Sequence, residues 1–237
     1  MIKIVIVGGG WAGCAAAVQA AKCSMAQVVL IERTDMLLGT GLVGGIMRNN
    51  GRYTAAEEMI LLGGGEFFNI CDKTARHKNV DFPGHKHANL YDISITQGKV
   101  VEYLKKMGVE VVYESRITEI DMDKNKIVKI RDQNKREYMG DVFIDATGTA
   151  GPMNNCNKYG NCCAMCIMRC PSFGGRVSLA SLAGVKEIHG KRADGSIGSM
   201  SGSCKIHKES LSEEIQDRLS RDGVVVIPVP EELKVDH

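Results

Sequence analysis

The stretch Ile2-Lys-Ile-Val-Ile-Val-Gly-Gly-Gly-Trp-Ala-Gly13 decides how this chain folds. Ile2 to Val7 is a short, β-branched, almost wholly apolar run, the pattern of a strand buried on both faces of a parallel sheet. Gly8, Gly10 and Gly13 form a G-x-G-x-x-G turn, and the alanine-rich residues from Cys14 to Lys22 have helical propensity. Gln27-Val-Val-Leu-Ile31 is a second strand, closing on Glu32, 19 positions after Gly13. The three pieces make a strand–helix–strand unit of the length a right-handed crossover needs. Each residue of the fingerprint has a physical task. Gly8 permits the tight turn, Gly10 lets the backbone approach a pyrophosphate, and Gly13 allows close helix–strand packing. The helix N-terminus points its positive dipole at the phosphates. Glu32 is placed to accept hydrogen bonds from an adenosine ribose.

Working outward, Gly39-Thr-Gly-Leu-Val-Gly-Gly45 reads as a loop that approaches something closely. Thr54 to Leu62 reads as a helix ended by Gly63-Gly-Gly65. Asn69 to Asp92 shows no regular pattern, and His77, His85 and His87 around Pro83-Gly84 read as loop histidines. Gln97 to Met107 is an amphipathic helix stopped by Gly108. Strands are expected at Val109–Glu114, Ile117–Met122 and Ile127–Asp132, with a turn at Asp123-Lys-Asn-Lys126, and a buried strand at Asp141-Val-Phe-Ile-Asp-Ala146 closes on Thr147-Gly148. Beyond it, residues 151–176 hold cysteines among Asn, Gly and Pro without periodicity. Ser178 to Ala183 is a helical turn ended by Gly184, and 189–203 is Gly/Ser-rich loop. Ser210-Leu-Ser-Glu213 has the form of a capping box opening a helix to Arg221, and Val224 to Ile227 reads as a last strand. The expected fold is α/β, a Rossmann-like parallel sheet with a β-meander and an irregular cysteine-rich C-terminal section. Its divisions fall at residues 1–150, 151–176 and 177–237.

Gly8 to Gly13, Glu32-Arg33, the loop Gly39 to Gly45 and Ile144-Asp-Ala-Thr-Gly148 together resemble the two-dinucleotide-binding FAD flavoproteins. Within these, the chain is similar to the oxidoreductases related to the flavin subunit of heterodisulfide reductase. The resemblance covers residues 1 to about 148 and resumes weakly at Ser178-Leu-Ala-Ser-Leu-Ala-Gly-Val185. It implies FAD rather than NAD. It also implies that Glu32 and Arg33 belong to the adenosine site, that Gly39, Thr40 and Gly41 close over the pyrophosphate, and that Ile117 sets its backbone on the adenine. Thr147 and Gly148 would lie near the phosphates, and three meander strands before them fit the family. The chain departs from the family where the cysteine segment stands between the Ala-Thr-Gly loop and Ser178. No Gly-Asp return follows residue 148, since Asp194-Gly195 and Asp222-Gly223 have the order reversed. A redox partner, a complementary subunit or a second copy of the chain is therefore expected to complete the flavin side.

Five of the nine cysteines fall between Cys156 and Cys170, as C-x5-C-C-x2-C-x3-C-P. Cys163, Cys166, Cys170 and Pro171 reproduce the end of a ferredoxin-type run, which points to a [4Fe-4S] cluster with Cys156 as fourth ligand. Cys162, adjoining Cys163, is less suited, and Cys204 is the outside candidate. A redox dithiol, Cys163 with Cys166 or the adjacent Cys162-Cys163, ranks second. A zinc site ranks third, because only one C-x2-C knuckle is clear, and packing ranks last. Cys14, Cys23 and Cys71 read as packing residues.

Composition narrows the remaining classes. With 237 residues, 44% hydrophobic and 24% charged, the chain is an ordinary globular protein of one or two domains. A net charge of +2 and 5% aromatics offer nothing to nucleic acid. No apolar run reaches membrane-spanning length. A strand at the N-terminus makes a cleaved signal peptide unexpected, and a cytoplasmic setting with reduced thiols follows. Trp11 reads as packing, while Arg48 and Arg52 read equally as anchors for an anionic substrate or as solvated arginines, and Arg169 and Arg176 flank the cysteines. The expected function is a FAD-dependent oxidoreductase passing electrons between flavin and cluster in a larger complex, acting on a small molecule or a thiol. The alternatives are an electron-transfer or assembly subunit without turnover, and a flavin-dependent disulfide reductase using Cys163 and Cys166. No catalytic acid or base is identifiable.

Overall fold

The computed structural model describes residues 1–42, 46–48, 52–82, 85–148, 173–186, 193–195, 211–222 and 225. The chain divides into two compact units, Met1–Thr149 with Val177–His189, and Ala150–Arg176 with Gly190–His237.

In the first unit, β1 (Ile2–Val7) leads through the glycine turn to α1 (Trp11–Ala21) and β2 (Ala26–Ile31). After a 3-10 turn at Gly39–Leu42 come β3 (Ile46–Arg48), α2 (Arg52–Leu61), α3 (Glu66–Lys73), β4 (Ala75–Phe82), β5 (His85–Tyr91) and α4 (Ile93–Lys106). Then follow β6 (Glu110–Val112), β7 (Ile117–Asp123), β8 (Lys126–Asp132), β9 (Glu137–Met139) and β10 (Val142–Asp145). Four strands form a parallel sheet in the order β10-β1-β2-β6. Two antiparallel three-stranded sheets, β3-β5-β4 and β7-β8-β9, complete the unit.

Alternation along β1 and β2 builds two cores. Ile6, Val28 and Leu30 face one side and pack with Cys14, Ala17 and Val18 of α1, Val100 and Leu104 of α4, and Phe67 of α3. Val5, Val7, Val29 and Ile31 face the other side and meet Ile117, Ile130 and Leu179. An uninterrupted apolar strand is what burial on both faces requires. Each fully buried Leu or Ile contributes roughly 1.5–3 kcal/mol, so the two strands alone anchor the unit.

The structure corrects several sequence expectations. Helix α1 begins at Trp11 rather than Cys14, because Gly13 sits inside its first turn. The stretch expected to be irregular, 69–92, carries most of α3 and the β4–β5 hairpin. Its alternation is broken by register shifts at Ala75/His77, His77/Val80 and Val80/Phe82, and by positive φ at Asn79 (54°) and His87 (52°). The meander is displaced by one strand. Glu110–Val112 pairs parallel with β2 in the main sheet, and the third meander strand is β9, too short to show a period. The one-turn helix Leu179–Leu182 forms as expected and stops at Gly184, φ 81°.

In the second unit a helix spans Glu213–Asp222. Ser210 of the expected capping box, most of the strand 224–227, and Cys156, Cys162, Cys163, Cys166, Cys170 and Cys204 lie outside the described residues.

One network holds the meander. Asp132, fully buried, accepts hydrogen bonds from the N–H groups of Asn134 (2.8 Å) and Arg136 (2.9 Å). It also accepts from Ser115 Oγ (2.9 Å) and Arg136 Nε (2.7 Å). Burial alone raises this carboxyl pKa, but the hydrogen bonds outweigh it and hold the group below its ordinary value.

Candidate functional site

The C-terminal ends of β1, β2 and β10 converge on the glycine turn. Gly8 has φ +105°, and a Cβ there would lie 2.3 Å from the Ala146 carbonyl oxygen at the end of β10. Gly13 is tighter still, since a Cβ would fall 1.8 Å from the Gly8 carbonyl oxygen. Gly10 is the opposite case. A Cβ there meets nothing within 4 Å, and its φ of −68° is open to any residue. Two of the three fingerprint glycines are thus required by protein contacts, while the third borders open space at the N-terminus of α1. No side chain caps that terminus among the described residues, and the first intrahelical bond is Cys14 N–H to Gly10 C=O, 2.9 Å. The N–H groups ahead of it are available to an anion.

Gly9, which the fingerprint leaves variable, is equally constrained. A Cβ would clash with Leu37 Cδ2 at 2.5 Å and crowd Glu32 at 3.0 Å. Its N–H donates to Glu32 Oε2 at 2.7 Å. Glu32, 6% exposed, also accepts from Thr34 N–H (2.9 Å) and Thr34 Oγ1 (2.8 Å) on Oε1. The expected ribose acceptor is therefore also the residue that fixes the glycine turn. Arg33 follows it, partly buried. Glu32→Ala is expected to remove the carboxylate that the Gly9 and Thr34 N–H groups donate to and cost roughly 1–3 kcal/mol, read as a lower Tm together with weaker FAD retention. Unchanged Tm and FAD affinity would contradict this placement.

The expected pyrophosphate loop folds back on the same turn. Leu38 N–H donates to Gly9 C=O at 2.8 Å, and Gly39, φ 51°, would set a Cβ 3.3 Å from Gly10 Cα. Thr40 follows, and a Cβ on Gly41 would overlap Trp11 Nε1 at 2.2 Å. Trp11 is a packing residue, as expected, tilted against Phe67 (centroids 5.7 Å) and edge-on to Tyr91 (5.9 Å). The Tyr91 hydroxyl donates to Gly41 C=O, and burial pushes its pKa up to about 12.

Thr147 and Gly148 follow β10. Thr147 N–H and Oγ1 donate to Asp145 Oδ1 at 3.0 and 2.6 Å, and Gly148 has φ 80°. Asp145 Oδ2 accepts from Ser178 Oγ (2.9 Å) and Ala180 N–H (2.8 Å). Desolvation raises the Asp145 pKa, yet these hydrogen bonds overcome it and leave the group lowered. One carboxylate thus clasps the Ala-Thr-Gly loop to the helix Leu179–Leu182. Ile117 opens β7 opposite Asp132, with its side chain buried in the second core.

Cys14 and Cys71 are packing residues. Both are buried, and desolvation raises each thiol to about 12. Cys23 is not, because it lies beyond the end of α1 and is exposed. His77 and His87 stand on strands, with His87 Nδ1 2.8 Å from Asn79 Oδ1. The side chains of His85, Arg48 and Arg52, and all of Arg169, lie outside what is described, and Arg176 is partly buried. Among the described residues, no group of three or more His, Cys, Asp or Glu is placed to hold a metal. Among them, no helix is long and apolar enough to cross a membrane.

A parallel sheet ending in this turn, with an anion-ready helix and a buried acid beside it, is the Rossmann-like FAD-binding fold of flavoproteins. The chain belongs to the glucose inhibited division protein A family, whose model matches residues 3–230. Solved structures similar in part include the Diels-Alderase PyrE3 of pyrroindomycin biosynthesis, with 14% identity and TM-score 0.47 over 63% of this chain and 33% of that one. Another is pqsL, a probable FAD-dependent monooxygenase from Pseudomonas aeruginosa, with 16% identity and TM-score 0.43 over 64% and 43%. A third is Aquifex aeolicus GidA, with 20% identity and TM-score 0.40 over 60% and 24%. The chain spans about a third of the length of the first solved structures it matches. Among curated proteins nothing matches.

Proposed function

We propose that the chain is a FAD-dependent oxidoreductase that passes electrons between its flavin and a cysteine-ligated [4Fe-4S] cluster, within a larger assembly like that of the heterodisulfide reductase flavin subunit. The open space at Gly10, before the uncapped start of α1, carries the flavin half of this reading. Open space beside the Gly10 backbone leaves room for a pyrophosphate, and Glu32 fits the ribose beside it. Gly39, Thr40 and Gly41, with Thr147 and Gly148, would hold the phosphates, and Arg33 and Ile117 the adenosine. Bound flavin supplies the redox chemistry, while these residues bind and orient it.

The iron half rests on the spacing of Cys156, Cys163, Cys166 and Cys170. The partner, whether a redox protein, a complementary subunit or a second copy, and a cytoplasmic setting belong to the same proposal. So does a small-molecule or thiol substrate.

Anaerobic purification followed by absorption spectroscopy and iron and sulfide assay tests both halves. Flavin bands with a broad brown shoulder are expected, and Cys163→Ser, Cys166→Ser, Cys170→Ser or Cys156→Ser should each remove most of the iron. Cys14→Ser and Cys162→Ser should not. Flavin without iron would transfer the reading to a thiol/disulfide reductase using Cys163 and Cys166. A protein that takes up neither chromophore would overturn it.

A further inference from the structure

We infer that Thr34, three residues past β2, is the positioning residue that aims the Glu32 carboxylate at the dinucleotide. Three observations converge on it. Thr34 is 1% exposed, so its hydroxyl is a buried polar group that must be satisfied by protein. That hydroxyl lies 2.8 Å from Glu32 Oε1 and 3.0 Å from the Met36 carbonyl oxygen, while the Thr34 N–H reaches the same Oε1 at 2.9 Å. Glu32 Oε2 takes the Gly9 N–H at 2.7 Å.

The consequence follows from counting hydrogens. A carboxylate offers about four lone-pair positions. Two on Oε1 are met by Thr34, one on Oε2 is met by Gly9, and the acceptor position left on Oε2 belongs to the oxygen beside the glycine turn. Thr34 thus fixes the rotation of the carboxylate and selects which oxygen remains for a ligand hydroxyl. The hydroxyl has one hydrogen, shared between Oε1 and Met36 C=O, and Met36 lies on the segment that runs through Leu38 to the 3-10 turn Gly39–Leu42. Acid and loop are held in register by one hydroxyl.

This inference rests on the dinucleotide reading of the site, and the experiment separates the two. Equilibrium binding of FAD and of ADP is measured on full-length wild type, Thr34→Val and Thr34→Ser, with Tm recorded for each. Valine keeps the shape and removes the hydroxyl. It is expected to weaken both ligands about tenfold, the size of one lost hydrogen bond to a charged group. Serine restores the hydroxyl and should bring affinity back to within about twofold of wild type. A structural role alone would lower Tm in Thr34→Val without this rescue of affinity, and would overturn the inference. So would wild-type affinity in Thr34→Val. Failure of the wild type to bind either FAD or ADP would instead sink the dinucleotide reading itself.

Discussion

Gly13→Ala is expected to leave the first unit unable to fold, whereas Gly10→Ala, three residues away, should fold normally and lose FAD. At Gly13 the added methyl would sit 1.8 Å from the Gly8 carbonyl oxygen and 3.2 Å from Ala146 Cβ. Both neighbours are fixed in the sheet, Gly8 through its N–H to Ile31 C=O and Ala146 through its N–H to Val7 C=O, each 2.8 Å. Neither can yield without breaking the parallel pairing of β1 with its neighbours. The expected cost is roughly 4 kcal/mol or more, a large share of a domain's total stability. At Gly10 nothing lies within 4 Å of the methyl and the backbone is in an ordinary conformation. Its Tm should stay within a few degrees of wild type, with FAD affinity down by roughly 1–3 kcal/mol as the methyl keeps the pyrophosphate from the backbone. Thermal unfolding and flavin titration check the pair. Tight FAD binding by a well-folded Gly10→Ala protein would remove Gly10 from the proposed binding site.

The second large effect is at Asp132. Asp132→Ala should destabilise the first unit by roughly 2–4 kcal/mol, because it removes the hydrogen bonds from the Asn134 and Arg136 N–H groups, the Ser115 hydroxyl and Arg136 Nε to one buried carboxylate. Ile117 and Ile130 of the same meander cover Val5, Val7, Val29 and Ile31, so the loss reaches the parallel sheet. The folded pKa of Asp132 is lowered below its ordinary 3.8. Its stabilisation is therefore complete above that ordinary value and lost as pH falls through the folded one. Denaturant unfolding of wild type and Asp132→Asn should show a gap at pH 7 that narrows below about pH 4. A gap independent of pH would show that the charge is not what Asp132 contributes.

The legible parts of the sequence were those with local causes. β1 is read to the residue, because an apolar β-branched run feeding a glycine turn has few other conformations. The helices α2 and α4 and the turn at Gly184 follow from propensity and glycine. What stayed hidden shares a different trait. β9 is three residues long, and its Tyr138 matters only because Ser115 and Asp132 come to meet it. The β4–β5 hairpin has no steady alternation, since its register slips three times.

The candidate site divides along the same line. Ile2–Gly13 with Glu32 by itself determined a parallel strand, a glycine turn and an acid at the next strand end, because those demands are steric and act over a few neighbouring residues. Only the tertiary structure decided that Gly9 is as constrained as the fingerprint glycines, that Thr34 bonds Glu32, and that Asp145 joins Thr147 to Ser178, 33 positions from the acid. Those roles depend on hydrogen bonds and close approaches between segments far apart in sequence, whose geometry exists only once the sheet has brought their ends together.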